Sequence, residues 1–418
     1  MSKPLSNPEQ ARQFAVEVVS RLRAAGHEAL WAGGCVRDEL LGRIPADYDV
    51  ATAAEPEEVR RVFGRGRTLS LGAAFGVITV LGPKGAGQIE VATFRTDAAY
   101  TDGRHPAGVT FSTAPEDAQR RDFTINGLFF DPLTGEVHDY VGGRADLAAG
   151  VVRAIGVPAM RFGEDHLRML RAVRFAAAFG FALDGETRAA IERMTHLVTT
   201  VSPERIAAEL RAMVSRPGRR RALELLADTG LAKEVLPEIA PGAADDSAAA
   251  AAAWGEAARI IDALDEPSLA SALAALYEPA GAAPLRQAAN RLRLSNREVK
   301  LAGWLQEAVA MCDGPGVAGR PWSEVQPWLA HEDAFLLADL LRARADCGRG
   351  AAATAAWVTA QIARPRDQLD PPPLVTGADL LAAGVAAGPA MGATLARLRA
   401  LQLDGVIATR EEAIARVT

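Results

Sequence analysis

Residues 29–52 have the sequence ALWAGGCVRDELLGRIPADYDVAT. The apolar run Ala29–Ala32 predicts a buried strand, and the Gly33-Gly34 pair after it predicts a tight turn. The turn leads into a helical pattern, and Asp47–Asp49 begins a second predicted strand. This order of strand, turn, helix and strand predicts a small mixed sheet with helices packed against it.

The glycine pair opens the predicted helix at a position that suits an anion. Gly33 and Gly34 let the backbone pass close to a phosphate, and the N–H groups of a helix start point towards such a ligand. Arg37, one turn later, adds a guanidinium that can bind two phosphate oxygens. A Gly-Gly pair taken alone is more often only a tight turn, so this interpretation depends on the residues that follow.

Two carboxylates follow at the start of the second predicted strand. Because alternate strand residues face the same side, Asp47 and Asp49 share one face while Tyr48 occupies the other. Carboxylates held this close repel each other unless cations neutralise them, and Mg²⁺ prefers such oxygen ligands. The pair predicts a two-metal site with ions roughly 3.5–4 Å apart, although Asp-x-Asp alone is also typical of a solvated strand end.

A third carboxylate lies in the predicted strand Glu90–Arg95. Glu90 joins the acidic site if its strand pairs beside that of Asp49, and is an exposed strand glutamate otherwise.

The stretch RRDFTIN at residues 120–126 clusters charges on what the pattern predicts to be one helix. Arg121 can bind a triphosphate, while Asp122 and Asn126 share a helical face and can hold a ribose or orient an arginine. The alternative is a basic helix face capped by an acid.

The segment RFGEDHLRMLRAVRF at residues 161–175 places arginines at every third position from Arg168 through Arg171 and Arg174. They form one winding helical stripe, with Asp165 one turn before Arg168. One interpretation is a surface helix with a single Asp–Arg ion pair. The other is base recognition, because a carboxylate accepts a hydrogen bond from an amino group and a guanidinium donates to a ring nitrogen or carbonyl.

Such a pair would distinguish nucleobases by the polarity of one edge. Cytosine and adenine present an amino group beside an acceptor, whereas uracil and guanine place a carbonyl oxygen where the amino group would be. Asp165 would repel that oxygen, and a buried site of this kind can reject a mismatched partner by ~10⁴–10⁵-fold. Arg171 and Arg174 would then serve phosphates or support Arg168.

The rest of the chain divides into a mixed N-terminal region and a helical remainder. Asn7 and Pro8 start a predicted amphipathic helix. The predicted strand Val77–Leu81 and the strand after it flank GPKGAG, which predicts a hairpin. From Pro158 onward Ala, Leu, Arg and Glu dominate and predict successive helices, with a break at Pro371–Pro373.

Composition limits the class of protein. A length of 418 residues predicts several domains, and a formal charge of −6 argues against a protein that coats nucleic acid without specificity. Cys35, Cys312 and Cys347 fit neither a disulfide framework nor a zinc site. With no apolar run long enough for a membrane span and no signal-peptide pattern, we expect a cytoplasmic protein.

These motifs resemble, in order, those of the tRNA nucleotidyltransferases and bacterial poly(A) polymerases. The matching segments are GGCVRDELLGR, DYD, EVATFR, DGRHP, RRDFTIN, EDHLRMLRAVRF, LVTGADLL and QLDGVIATREEA. The resemblance implies an α+β fold with a nucleotidyltransferase head of mixed sheet and helices, followed by all-α regions. The implied domains are a head at 1–155, a base-selecting neck at 156–215, a body at 216–370 and a tRNA-binding tail at 371–418.

The resemblance also implies a reaction, the addition of C and A from CTP and ATP to the 3′ end of tRNA. The alternatives are an A-adding enzyme or poly(A) polymerase, and more remotely an inactive RNA-binding protein. The resemblance further implies that Asp47 and Asp49 are metal ligands, with Mg²⁺ as cofactor, and that Asp165 and Arg168 select the base. The nucleotide contacts it implies are Gly34, Arg37, Arg121, Arg171 and Arg174.

The loop DGRHP at residues 102–106 matches a flexible loop that this family associates with A addition, which argues against an enzyme that adds only C. No protein partner is predicted.

Overall fold

The computed structural model describes residues 7–72, 75–97, 109–241, 247–313 and 316–417. The chain forms two compact units, the first comprising Met1–Met213 with Arg221–Pro237 and the second Val214–Arg220 with Glu238–Thr418. In these described ranges, no helix is both long and apolar enough to cross a bilayer. The division into head, neck, body and tail stays a prediction.

All strands of the described residues lie in the first unit. In chain order they are β1 (Ala29–Ala32), β2 (Asp49–Thr52), β3 (Thr68–Gly72), β4 (Val77–Leu81), β5 (Gln88–Thr93), β6 (Arg95–Asp97), β7 (Val109–Phe111), β8 (Leu128–Asp131), β9 (Glu136–Asp139), β10 (Val151–Val152) and β11 (Ala182–Leu183).

The helices up to residue 235 surround and follow these strands. They are α1 (Pro8–Ala24), α2 (Gly34–Leu40), α3 (Pro56–Phe63), α4 (Ala114–Gln119), α5 (Gly143–Ala149), α6 (Pro158–Glu164), α7 (Leu167–Phe179), α8 (Gly185–Met194), α9 (Pro203–Val214), α10 (Arg219–Asp228) and α11 (Leu231–Val235).

The remaining helices belong to the second unit. They are α12 (Ser247–Ala263), α13 (Leu269–Leu276), α14 (Ala282–Arg291), α15 (Asn296–Asp313), α16 (Trp322–Leu329), α17 (Ala334–Asp346), α18 (Ala352–Ile362), α19 (Arg366–Leu369), α20 (Gly377–Ala382), α21 (Pro389–Leu403) and α22 (Arg410–Ala415).

The main sheet has seven strands in the order β3-β4-β5-β2-β1-β8-β9. β2 and β5 run parallel with Asp49 opposite Glu90, and the other neighbouring strands run antiparallel. β4 and β5 pair as the hairpin predicted around GPKGAG. The predicted mixed sheet is confirmed, and its one parallel pair places two acidic residues side by side.

Helix α1 begins where the sequence predicts. The Asn7 side chain accepts hydrogen bonds from the N–H groups of Glu9 and Gln10, and Pro8 occupies the first turn, where no N–H is needed. The helix packs on β1 and β2. Its buried residues are Ala11, Phe14, Ala15, Val18, Val19 and Leu22.

The centre of the sheet is filled by aromatic rings. Trp31 is fully buried in β1 and contacts the rings of Tyr48 and Phe130, with centroids 4.8 and 5.5 Å away. Tyr48 is buried whereas Asp47 and Asp49 are exposed, so the alternation predicted for these residues holds.

Two local predictions are wrong. β2 begins at Asp49, so Asp47 precedes the strand instead of opening it. Residues 120–126 do not form one helix, because α4 ends at Gln119 and only Thr124–Asn126 form a 3₁₀ turn. Phe123 between them is extended and pairs with Ala154 as a β-bridge, which buries its ring completely. Burial of this aromatic ring overrides the local preference for helix.

The second unit contains a buried ion-pair cluster and a separate apolar cluster. The guanidinium of Arg344 is buried and bonds the carboxylates of Glu278 and Asp313. The C-terminal helices close around Val375, Leu380, Leu398, Ile407 and Ala413.

A close approach between α5 and the 3₁₀ turn makes one glycine necessary. A Cβ at Gly143 would collide with the carbonyl oxygen of Thr124 and lie 3.0 Å from Leu128 Cδ2. We expect Gly143→Ala to lower the free energy of unfolding by ~1–3 kcal/mol, because backbone atoms must shift to accept the methyl group. The melting temperature followed by circular dichroism measures this loss.

Gly163→Ala is the matched control, because a Cβ at Gly163 in α6 meets nothing within 4 Å. This control should melt at or above the wild-type temperature, since alanine favours a helix over glycine. A Gly143→Ala protein as stable as the control would contradict the predicted collision.

Candidate active site

Three carboxylates lie together at one place on the sheet. Asp49 and Glu90 are register partners in the parallel β2–β5 pair, and Asp47 immediately precedes β2. Asp49 is exposed by surface area. Even so, neighbouring protein atoms replace part of the water around its carboxylate. This desolvation and the charges of Asp47 and Glu90 raise the pKa of Asp49 to about 7, against the opposing charge of Arg121. The site therefore holds an excess of negative charge that a cation would neutralise.

Within the described ranges, no group of three or more His, Cys, Asp or Glu side chains is arranged to hold a metal ion. Mg²⁺ is commonly bound by one or two carboxylates, with substrate phosphates and water completing its shell. The oxygen donors of Asp47 and Asp49 and the raised pKa of Asp49 fit such a partly built site.

The glycine turn after β1 supports an arginine from another segment. Gly33 has φ +74, and its N–H donates to the carbonyl of Leu128 at 3.0 Å. A Cβ on Gly33 would lie 2.8 Å from Nη1 of Arg121, so a side chain here would displace that guanidinium in addition to straining the backbone. Gly34 opens α2 without a side-chain cap.

Arg121 is held against this turn by Asp117. Its Nε and Nη2 donate to Asp117 Oδ2 at 3.1 and 2.9 Å, and Arg120 Nε donates to Asp117 Oδ1 at 2.8 Å. Burial alone would raise the pKa of Asp117, but the charges and hydrogen bonds of the two arginines lower it below its ordinary value. Asp117 thus stays an anion that orients Arg121.

A continuous chain of hydrogen bonds joins α2, the helix that follows the glycine turn, to α7. Arg37, 7% exposed, donates through Nη1 to Asn126 Oδ1 at 2.6 Å. Asn126 Nδ2 donates to Asp122 Oδ1 at 3.1 Å, and Arg171 donates to Asp122 Oδ2 through Nε at 2.8 Å and Nη2 at 2.6 Å. Burial alone would raise the pKa of Asp122, but the Arg171 charge and the hydrogen bonds from Asn126 and Arg171 lower it to about 2.

The chain continues from α7 into α9 through Glu209, which is 9% exposed. Glu209 Oε2 accepts a hydrogen bond from Arg174 Nε at 2.6 Å, and Oε1 lies 3.9 Å from Arg171 Nη1. The predicted nucleotide contacts Arg37, Asn126, Asp122, Arg171 and Arg174 therefore belong to one network.

The predicted helical stripe is interrupted at its acidic end. Arg168, Arg171 and Arg174 share α7, as predicted, but α6 ends at Glu164 and Asp165 has extended backbone with φ −149° and ψ 104°. Asp165 therefore does not stand one helical turn before Arg168, and the interpretation as a surface Asp–Arg pair is wrong. Glu164 forms that pair with Arg168, which is only 9% exposed.

Arg168 and Asp165 each have protein partners from more than one segment. Arg168 Nη1 also donates to the carbonyl of Arg161 at 3.0 Å, and Nη2 donates to the carbonyl of Arg120 at 3.2 Å. Asp165 Oδ2 accepts from Arg205 Nη2 at 2.7 Å, and Oδ1 accepts from the Leu167 N–H at 3.1 Å. The contact with Arg120 joins the base-selecting candidates to the RRDFTIN segment.

Sequence reasoning missed four charged residues that organise this site, namely Asp117, Glu164, Arg205 and Glu209. A usable signal existed for Glu209, because it lies among the apolar positions Ile206, Leu210 and Met213 at helical spacing. A charge on an apolar helix face indicates a buried partner. The other three gave no comparable signal.

The loop DGRHP and its His105 lie outside the described residues.

Known proteins match this chain in sequence and in fold. Residues 29–153 match the family model of the poly A polymerase head domain, and residues 180–242 match that of a probable RNA and SrmB-binding site of polymerase A. The crystal structure of the Bacillus stearothermophilus CCA-adding enzyme in complex with CTP is 30% identical, with a TM-score of 0.77, over 97% of this chain and 96% of that one. The chain belongs to the family of the CCA-adding enzymes and poly(A) polymerases.

Curated members of this family are more similar over a shorter stretch. The CCA-adding enzyme of Anoxybacillus flavithermus is 43% identical over 56% of this chain and 57% of that protein. The CCA-adding enzyme of Geobacillus stearothermophilus is 41% identical over 58% of this chain and 59% of that protein. The chain thus matches somewhat over half the length of these relatives.

The fold is shared further within the family. A Thermotoga maritima CCA-adding enzyme complexed with tRNA has a TM-score of 0.64 at 18% identity, over 97% of this chain and 94% of that one. The α+β architecture predicted from the sequence is therefore confirmed. CCA-adding nucleotidyltransferases depend on divalent metal ions, and the acidic site of this chain is suited to one.

The raised pKa of Asp49 has a measurable effect on stability. Because this pKa lies at about 7 in the folded protein against an ordinary 3.8, the metal-free protein loses stability as the pH rises between these values. We expect metal-free Asp49→Asn to melt above wild type at pH 8. The difference should shrink at pH 5, where Asp49 of the wild type carries a proton.

Asp346→Asn, which removes an exposed carboxylate in the second unit, is the control and should not reproduce this pH dependence. Calorimetry at both pH values in the presence of a chelator gives the comparison. A melting temperature of Asp49→Asn at or below wild type at pH 8 would contradict the electrostatic account.

Proposed function

We propose that this chain adds C and A residues, taken from CTP and ATP, to the 3′ end of tRNA without a nucleic-acid template and releases pyrophosphate. The observation that carries the proposal is the hydrogen-bonded network that joins Arg37 of α2 through Asn126 and Asp122 to Arg171 of α7, with Arg121 donating to the Asn126 carbonyl beside the glycine turn. The likeness to CCA-adding enzymes, one of them solved with CTP, supports the same function.

The acidic residues and the glycine turn of the candidate site each have a proposed task. Asp47 and Asp49 would hold Mg²⁺, which would supply charge neutralisation at the triphosphate and lower the pKa of the attacking 3′-hydroxyl. Glu90 adds negative charge beside them. The Gly33-Gly34 turn and Arg121 lie where phosphate oxygens can accept hydrogen bonds from the backbone and a guanidinium.

Asp165 and Arg168 would select the base. A carboxylate has about four acceptor positions, and two of those on Asp165 are used by Leu167 and Arg205, so it can still accept from an amino group. Arg168 uses three N–H groups in its contacts with Glu164, Arg161 and Arg120, and a guanidinium has about five. Cytosine and adenine would satisfy both side chains, whereas uracil and guanine would oppose a carbonyl oxygen to Asp165.

The proposed function extends to the whole chain. The head at 1–155 would carry out nucleotidyl transfer, the neck at 156–215 would choose the base, and the body at 216–370 with the tail at 371–418 would hold the tRNA. A tRNA substrate agrees with a reaction in the cytoplasm.

An incorporation assay with three RNAs tests this proposal. The RNAs are a tRNA transcript that ends before CCA, one that ends after CC, and an unrelated RNA, each supplied with CTP or ATP separately. We expect CTP to extend the first and ATP the second, with no extension of the third. Absence of CTP incorporation would overturn C addition, and extension of the unrelated RNA by ATP would favour a poly(A) polymerase.

The variant Asp49→Ala tests, in the same assay, whether Asp49 is a metal ligand. The incorporation rate should fall at least about a hundredfold, because the metal would lose a ligand, while tRNA affinity measured by filter binding stays within about twofold. Unchanged turnover would refute the assignment of Asp49 as a metal ligand.

Asp165→Ala should relax the choice of base. Without the acceptor, the ratio of kcat/KM for CTP over UTP should fall at least about tenfold, since a hydrogen bond to a charged group contributes ~1.5–3 kcal/mol. Glu192→Ala, which removes an exposed ion pair with Arg188 in α8, is the control and should keep the wild-type ratio. A lower rate at unchanged selectivity would defeat the role given to Asp165.

A further inference from the structure

Asp165 is fixed at both carboxylate oxygens. Oδ1 accepts from the Leu167 N–H at 3.1 Å, a local contact at the start of α7. Oδ2 accepts from Arg205 Nη2 at 2.7 Å, a contact that crosses from α9. The side chains of Asp165 and Arg205 are 17% and 25% exposed, so this ion pair is partly shielded from water.

The position of Arg205 is unfavourable for its own helix. α9 begins at Pro203, so Arg205 lies in the first turn, where the helix dipole disfavours a cation. The contact with Asp165 supplies the compensating charge. The ion pair with Asp165 therefore offsets the unfavourable position of this cation in its own helix.

α9 presents a second charge on the same side. Glu209 lies one helical turn after Arg205, and it bonds Arg174 and approaches Arg171. The side chain of His166, next to Asp165, bonds Thr200 just before α9, with Nδ1 and Oγ1 2.8 Å apart. Arg205 of α9 pairs with Asp165, and Glu209 of α9 pairs with Arg174 and lies near Arg171. Two opposite charges of α9 thus face opposite charges of residues 165–174.

We propose that Arg205 is a specificity-determining positioning residue, which fixes the Asp165 carboxylate in the orientation that tests the amino group of an incoming base. This inference rests on the proposed function. Without Arg205, the Leu167 N–H would be the one hydrogen bond that the described residues still give this carboxylate, and Arg171 would act on it through its charge alone. Asp165 would then sample orientations in which it no longer opposes the carbonyl oxygen of uracil or guanine, because preorganisation of the acceptor is lost.

Because one carboxylate would test both bases, the loss of Arg205 has a specific signature. The preference for CTP over UTP and the preference for ATP over GTP should fall together. A purely structural defect would instead lower the rate with all four nucleotides and leave both ratios unchanged.

The test compares Arg205→Met with Arg205→Lys and with the control Arg188→Met, which removes the exposed pair with Glu192 in α8. Equilibrium binding of CTP, UTP, ATP and GTP is measured by calorimetry, and incorporation on the two tRNA transcripts gives kcat and KM. We expect both selectivity ratios of Arg205→Met to fall about tenfold or more, as for the loss of one charge-assisted hydrogen bond. Arg205→Lys should recover much of each ratio, and Arg188→Met should match wild type.

A double-mutant comparison separates positioning from a direct contact with the base. In an Asp165→Ala background, which leaves Arg205 no acceptor at this position, Arg205→Met should lower the ratios no further, because Arg205 acts through that carboxylate. A further fall of similar size would overturn the proposal, as would wild-type ratios in Arg205→Met. If Arg205→Met does not fold, Arg205→Gln replaces it, with the same expected loss and the same overturning result.

Failure of the proposed function gives a different result. If wild type binds CTP and ATP in preference to UTP and GTP but extends no tRNA, C and A addition is wrong, and the binding ratios alone decide the role of Arg205. If wild type extends tRNA and the Arg205→Met ratios are unchanged, the function stands and the positioning role is wrong.

Discussion

The candidate site depends on the pairing of charges that lie away from water. Asp122 receives two hydrogen bonds from Arg171 and one from Asn126, which in turn accepts one from Arg37. The Arg37–Asn126 contact is buried and the Asp122–Arg171 pair is partly buried, so removing one partner would leave a poorly hydrated polar group without compensation. The glycine-turn helix α2, the RRDFTIN segment and α7 are therefore bound to one arrangement, since none can shift without breaking one of these contacts.

Two aspartates of this unit have pKa values shifted in opposite directions by their neighbours. Asp122 meets a guanidinium and an amide, which lower its pKa to about 2. Asp49 meets two further carboxylates, and with desolvation they raise its pKa to about 7. The charge of Asp122 is neutralised within the protein, whereas under the proposed function a metal ion would neutralise that of Asp49. An acidic site of this kind is a destabilising feature of the metal-free fold.

The break between α6 and α7 separates two neighbouring acids into different roles. Glu164, the last residue of α6, bonds Arg168 of α7. Asp165, the next residue, is extended and reaches Arg205 of α9. A continuous helix would have placed Asp165 on the Arg168 stripe and left α9 without this contact. The end of one short helix thus decides which acid pairs with Arg168 and which with Arg205.

Local patterns in the sequence determined the strand, turn, helix and strand of residues 29–52, the mixed sheet and the helical remainder, because glycines and apolar periodicity act over a few residues. The same patterns did not predict β8 and β9, and they gave residues 120–126 a helix that the buried ring of Phe123 prevents. Only the tertiary structure decided that Asp165 pairs with Arg205, 40 residues away, and Asp122 with Arg171, 49 residues away. Ion pairing depends on distance in space, which is set by the packing of whole elements and not by proximity along the chain.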